Sequence, residues 1–147
     1  MGVSMHDKRR TKEYSFYYGT LDMYRRAVAE ALGVGNDYNE SLDFQIKLYH
    51  ASDEKSRKFY TEFSDYYEAK VKSKVSTETA KFLYACDSNG NFTRLECSKI
   101  YHMLKDIKLP ENYNPNVECY CEKFNVHKAF LEIFGLGRYK YNGVEWY

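Results

Sequence analysis

Residues 85–96, ACDSNGNFTRLE, bear comparison with the twelve-residue calcium loop of a helix–loop–helix hand, in which oxygen ligands recur around a glycine turn. Asp87 falls at the third position and Asn89 at the fifth. Gly90 falls at the turn, with Asn91 beside it, and Glu96 at the closing bidentate position. Ala85 stands at the first position, which leaves no side-chain oxygen where the ion is first held, and no second hand is present to pair with this one. The alternative is preferred: Asp87 and Asn89 form an Asx-type turn, with Gly90 at positive φ between two helices.

Cys86, Cys97, Cys119 and Cys121, with His102 and His127, supply enough ligands for a zinc ion. Their spacing is poor for it, because structural zinc pairs are separated by roughly two to four residues. Cys119 and Cys121 flank a single residue, and on an extended segment they share a face and pack as small apolar groups. His127 with Cys97 would make a nucleophile–base pair if the fold joined them. His127 also lies on an apolar helical stripe, which favours a hydrogen-bonded core histidine. No phosphate-binding glycine loop, nucleophile elbow or HExxH pattern is present. No catalytic residue, metal or cofactor is therefore assigned, and the expectation is a protein that is not an enzyme.

Lys8, Arg9, Arg10 and Lys12 form one basic cluster, and Lys70, Lys72 and Lys74 a second, with tyrosines near both. Cations interleaved with aromatic rings hold single-stranded nucleic acid through phosphates and stacking. The overall balance of 22 Lys and Arg against 21 Asp and Glu, a net charge of +1, excludes a strongly basic module but not a local patch. With 16 Tyr, 9 Phe and one Trp, a neutral chain lacking reactive motifs suits a protein-binding role, since Tyr and Trp supply large, semi-rigid contact area. Tyr139, Tyr141 and Trp146 are the expected contacts. Single-stranded nucleic-acid binding is the second reading, and a small enzyme with an unrecognised site the third.

The elements that must position these residues follow from periodicity. Tyr14–Tyr18 reads as an aromatic strand. Leu21, Tyr24, Val28, Ala31 and Leu32 recur at helical spacing after Thr20, until Gly33 and Gly35 stop them. Leu42, Phe44, Ile46 and Leu48 alternate with more polar residues, as a half-buried strand does, with helix the weaker reading. Ser52 or Asp53 can cap a helix to Lys72 whose buried stripe is Phe59, Tyr60, Phe63, Tyr66, Tyr67 and Val71. Further helices are expected from Ser76 to Tyr84, from Phe92 to Ile107, and from Cys119 to Phe134, the last ended by Gly135 and Gly137. Asn142-Gly143 between aromatic alternations signals a C-terminal β-hairpin. The sum is an α+β fold of four or five helices with a small antiparallel sheet, organised as a basic, flexible arm at 1–12 and a single domain at 13–147.

Three segments, YSFYYGTLDMYRRAVAEALG, DSNGNFTRLECSKIYHML and KAFLEIF with the closing GVEWY, resemble a family of small uncharacterised proteins of bacteria and their phages. The resemblance implies one compact α+β unit and an accessory or inhibitor protein of phage or mobile-element origin. It implies no catalytic residue, and residues 36–75 have no counterpart in it. No apolar run approaches the ~20 residues that cross a bilayer, and the start of the chain lacks a signal-peptide core. The expected location is cytoplasmic, with another protein as partner, nucleic acid as the alternative and no membrane association.

Overall fold

Residues 2–147 are described by a computed structural model. The chain opens with β1 (Gly2–Asp7), whose Val3 and Met5 point into the core, and turns into β2 (Glu13–Tyr17). Residues 2–7 are thus a sheet strand rather than part of a flexible arm, paired with β2 along its length and with Val3, Met5, His6 and Asp7 buried. Only the turn at 8–12 stays exposed. Helix α1 (Tyr18–Ala31) follows, burying Leu21, Tyr24, Arg25 and Val28, and Gly33 at φ 77° ends its C-terminal turn.

Residues 42–48 are helical. They lie within α2 (Gly35–His50), which packs antiparallel against α3 (Glu54–Lys74). The alternation fails as a guide because this segment also satisfies helical spacing, and the choice is made by α3: Phe44 stacks on Phe63 at 5.1 Å and Tyr67 at 5.9 Å between ring centroids. The expected α3 stripe is also corrected. Val71 is buried, but Phe59 and Tyr66 are 51% and 54% exposed, since α3 leans on α2 alone along most of its length.

Helix α4 (Thr77–Tyr84) is capped by Ser76, whose side chain accepts from the Thr79 N–H. It leads to β3 (Gly90–Thr93) and α5 (Arg94–Asp106), which opens with a reciprocal capping box between Thr93 and Glu96. A small hairpin, β4 (Asn116–Cys119) and β5 (Glu122–Asn125), occupies what reads in sequence as the start of a helix. Helix α6 (Val126–Gly137) then runs through Gly135 and ends at Gly137.

The last strand, β6 (Gly143–Trp146), pairs antiparallel with β1 on one side and β3 on the other, giving the sheet order β2-β1-β6-β3. There is no hairpin at Asn142-Gly143. Both edges of β6 are already occupied, so residues 138–142 have no strand to join and form a turn. The architecture is α+β, with six helices among the described residues and the C-terminal segment inside the antiparallel sheet.

Aromatic rings build the core between the sheet and α1, α4, α5 and α6. Trp146 lies 5.0 Å from Phe92 and 6.4 Å from Phe82, and its indole N–H donates to the Cys86 carbonyl at 2.8 Å. Gly90 runs directly under this indole, where a Cβ would stand 2.5 Å from Nε1, so close approach rather than a positive φ is what requires glycine there. Among the described residues no helix is long and apolar enough to cross a membrane.

Candidate functional site

The β1–β2 turn at 8–12 and the α6–β6 turn at 138–142 lie side by side. Asn142 joins them: its side-chain oxygen accepts from the Arg9 N–H at 3.0 Å, and its amide donates to the Asp7 carboxylate at 3.0 Å and the Leu136 carbonyl at 3.1 Å. Lys8 N–H donates to the Gly143 carbonyl at 2.9 Å. The buried Asp7 side chain also receives the Lys12 N–H at 2.9 Å. Burial acts to raise the Asp7 pKa, but the hydrogen bonds from Asn142, Lys12 and Thr11 outweigh it and hold the carboxyl below its ordinary 3.8.

This arrangement presents Lys8, Arg9, Arg10 and Lys12 from one turn and Arg138 and Lys140 from the other. None of the six belongs to the ion pairs formed among the described residues. A hydrogen bond to Tyr147, with the nearby Glu13 and Glu145, holds Arg10 charged. Lys140 lies over Tyr141 at 5.0 Å, and Arg138 over Tyr101 at 4.1 Å and Tyr139 at 5.3 Å. Tyr139 and Tyr141 are 58% and 83% exposed, whereas Trp146 is 1% exposed and is a core residue, not a contact. Arg10 (φ 54°) and Tyr141 (φ 62°) both occupy the left-handed region that glycine favours.

The second basic cluster differs. Lys72 is paired with Glu68 at 2.9 Å and Lys74 with Asp37 at 3.4 Å, while Lys70 lies over the Tyr66 ring at 4.7 Å. Its charge is largely answered within the fold.

The residues of the calcium-loop reading do not converge. Asp87 pairs with Arg25; Glu96 accepts from the Thr93 N–H and from Lys81, each at 2.9 Å; and Asn91 lies in β3 opposite Glu145. Among the described residues no three His, Cys, Asp or Glu side chains gather as a metal site would require. His127 Nδ1 lies 2.7 Å from the Tyr24 hydroxyl, and burial pushes the pKa of the ring below its ordinary value. The Cys97 thiol faces the Phe92 carbonyl, and burial drives its pKa up to about 12, far from the thiolate a nucleophile needs.

A cleft of about 520 Å³ separates α1 and the C-terminal half of α2 from the turn after α4. Its charges are spent internally. Arg25, 6% exposed, donates to the Ala85 carbonyl at 2.7 Å and to Phe82 at 3.4 Å, satisfying the last carbonyls of α4, and pairs with Asp87. Arg26 is held by Asp22 and Asn39, each at 2.9 Å. What the cleft offers a ligand is the apolar wall of Leu42, Ile46 and Tyr49. Cys86 stands exposed on its rim, its pKa lowered by a hydrogen bond from Ser88.

Sequence reasoning missed Ile46, Tyr49, Arg138 and Lys140 as candidates. The first two were hidden by the strand reading, and the others by the hairpin reading. The RYKY alternation was a visible signal for the latter pair, but the contact of the adjoining Asn142 with Arg9, 133 positions away, was not. Compared with protein-family models, with curated proteins and with solved structures, the chain matches none.

Proposed function

We propose that this chain is a non-catalytic binding module that docks a partner protein on the outer part of the α2–α3 hairpin and the cleft beside it. One observation carries the reading: Phe59 and Tyr66 are 51% and 54% exposed beside an aromatic stack of Phe44, Phe63 and Tyr67 that is itself only half-buried, and Ile46 and Tyr49, 54% and 86% exposed, line the adjoining cleft. The outer part of this two-helix hairpin gains by having its apolar residues covered, and exposed apolar surface of this kind marks interaction sites. The expected contacts thereby move from Tyr139, Tyr141 and Trp146 to the hairpin. The non-catalytic reading rests on the engaged state of the reactive groups, since His127 and Cys97 each have another partner. Four free cysteines, two of them buried, accord with the reducing cytoplasm, and the resemblance to phage and bacterial proteins accords with an accessory or inhibitor role.

The test is capture from nuclease-treated extract of the source cells by the full chain and by a Tyr49→Ala/Phe59→Ala variant whose melting is unchanged. A protein retained by the native chain and lost by the variant is the expected result. Capture that ignores both substitutions overturns the reading, as does failure to retain any protein.

A further inference from the structure

We infer that the face made by the 8–12 and 138–142 turns is a binding site for single-stranded nucleic acid, its cations taking phosphates and Tyr139 and Tyr141 stacking bases. This site shares no element with the α2–α3 hairpin, so it goes beyond the protein-docking reading and can fail independently of it.

Four observations bear on it. None of the six cations of the two turns is in an ion pair within the fold, in contrast to Lys72 and Lys74, so, apart from Arg10 with Glu13 and Glu145 nearby, their charge is available to an external anion. Asp7 and Asn142 tie both turns to the middle of the sheet, so the face is ordered before a ligand arrives and less entropy is lost on binding. The two exposed tyrosines are each flanked by a cation over the ring, the pairing of charge with flat aromatic surface by which single strands are held without base readout. Arg10 and Tyr141 keep large side chains at left-handed positions where glycine would relax the backbone, a pattern associated with functional sites.

The rings decide the ligand class. A bare polyanion, such as an acidic peptide or a lipid surface, would engage the cations and leave the tyrosines without a role, whereas a strand with unstacked bases engages both. Duplex nucleic acid hides its base faces and is disfavoured for the same reason.

Fluorescence anisotropy of the full chain with a labelled single strand of about 15 nucleotides tests this. With about five phosphates neutralised, affinity falls about 100-fold between about 50 and 200 mM salt. Tyr139→Ala/Tyr141→Ala weakens binding about 10- to 100-fold with the salt slope unchanged, while Phe at both positions preserves it. Arg9→Gln/Lys140→Gln instead lowers the salt slope by about 1.4. Lys70→Gln/Lys72→Gln/Lys74→Gln changes neither quantity. An abasic strand of the same length binds at least about tenfold more weakly to the native chain and does not sense the tyrosine substitutions. The inference is overturned by no binding at about 50 mM salt, by equal affinity for the abasic strand, an acidic peptide or phosphatidylserine vesicles, or by a loss in the Lys70 triple variant as large as that of Arg9→Gln/Lys140→Gln.

Discussion

Replacing Tyr141 by Gly should leave a more stable protein than replacing it by Ala. At an ordinary helical or strand position the order is the reverse, because Gly carries more conformational entropy in the unfolded chain, a cost of roughly 0.5–1 kcal/mol relative to Ala. Tyr141 has φ 62°, where a Cβ crowds the following carbonyl at roughly 1–2 kcal/mol. Both substitutions remove the same ring, 83% exposed, and the same contact with Lys140, so their difference isolates the backbone. Setting the strain against the entropy leaves Gly ahead of Ala by about 0.75 kcal/mol at the middle of the two ranges. For a chain of this size that is about 1–4 °C in melting temperature. Urea unfolding of the two variants, with equal slopes, measures it directly. Both should lose nucleic-acid binding equally, since the ring is absent from each. An Ala variant as stable as the Gly variant would refute the left-handed geometry of the turn, and with it the presentation of Tyr139 and Tyr141 beside Arg9.

Two further outcomes follow from the sheet. Asp7 has a folded pKa below its ordinary 3.8, so its contribution to stability is present above that value and is lost as pH falls through the folded pKa. Asp7→Asn should cost about 1–3 kcal/mol at neutral pH and remove part of the native chain's loss of stability below about pH 4, as read from urea midpoints; an unchanged acid limb would remove Asp7 as the link between the turns. Gly90→Ala drives a methyl into the Trp146 indole and should cost about 1–3 kcal/mol, against about 3–5 kcal/mol for Trp146→Ala, with clear non-additivity in the double variant. A neutral Gly90→Ala would show that the indole does not lie on β3.

Local chemistry alone determined the elements whose signals are complete within a few residues. Asp53 and Ser76 cap α3 and α4 by accepting from N–H groups three positions on, as their types and places predict. The aromatic run that becomes β2, the helical spacing of α1 and the turn at 87–88, though not its extension over Gly90 and Asn91 of β3, are legible for the same reason. Where a segment fits two periods, or its partner is distant, only the tertiary structure decided. Residues 42–48 satisfy both strand and helix, and the rings of α3 select helix. The β4–β5 hairpin turns through Tyr120 and Cys121 at φ 52° and 65°, non-glycine residues that carry no turn signal. Asn142-Gly143 does mark a turn, but hydrogen bonds to β1 and β3 on both sides of β6 exclude the hairpin that the dipeptide alone suggests. The candidate site divides in the same way. Its cations and tyrosines are visible as types, but strand pairing between the two ends of the chain is what sets Arg9 against Asn142, and no spacing within a sequence encodes a contact made across 133 positions.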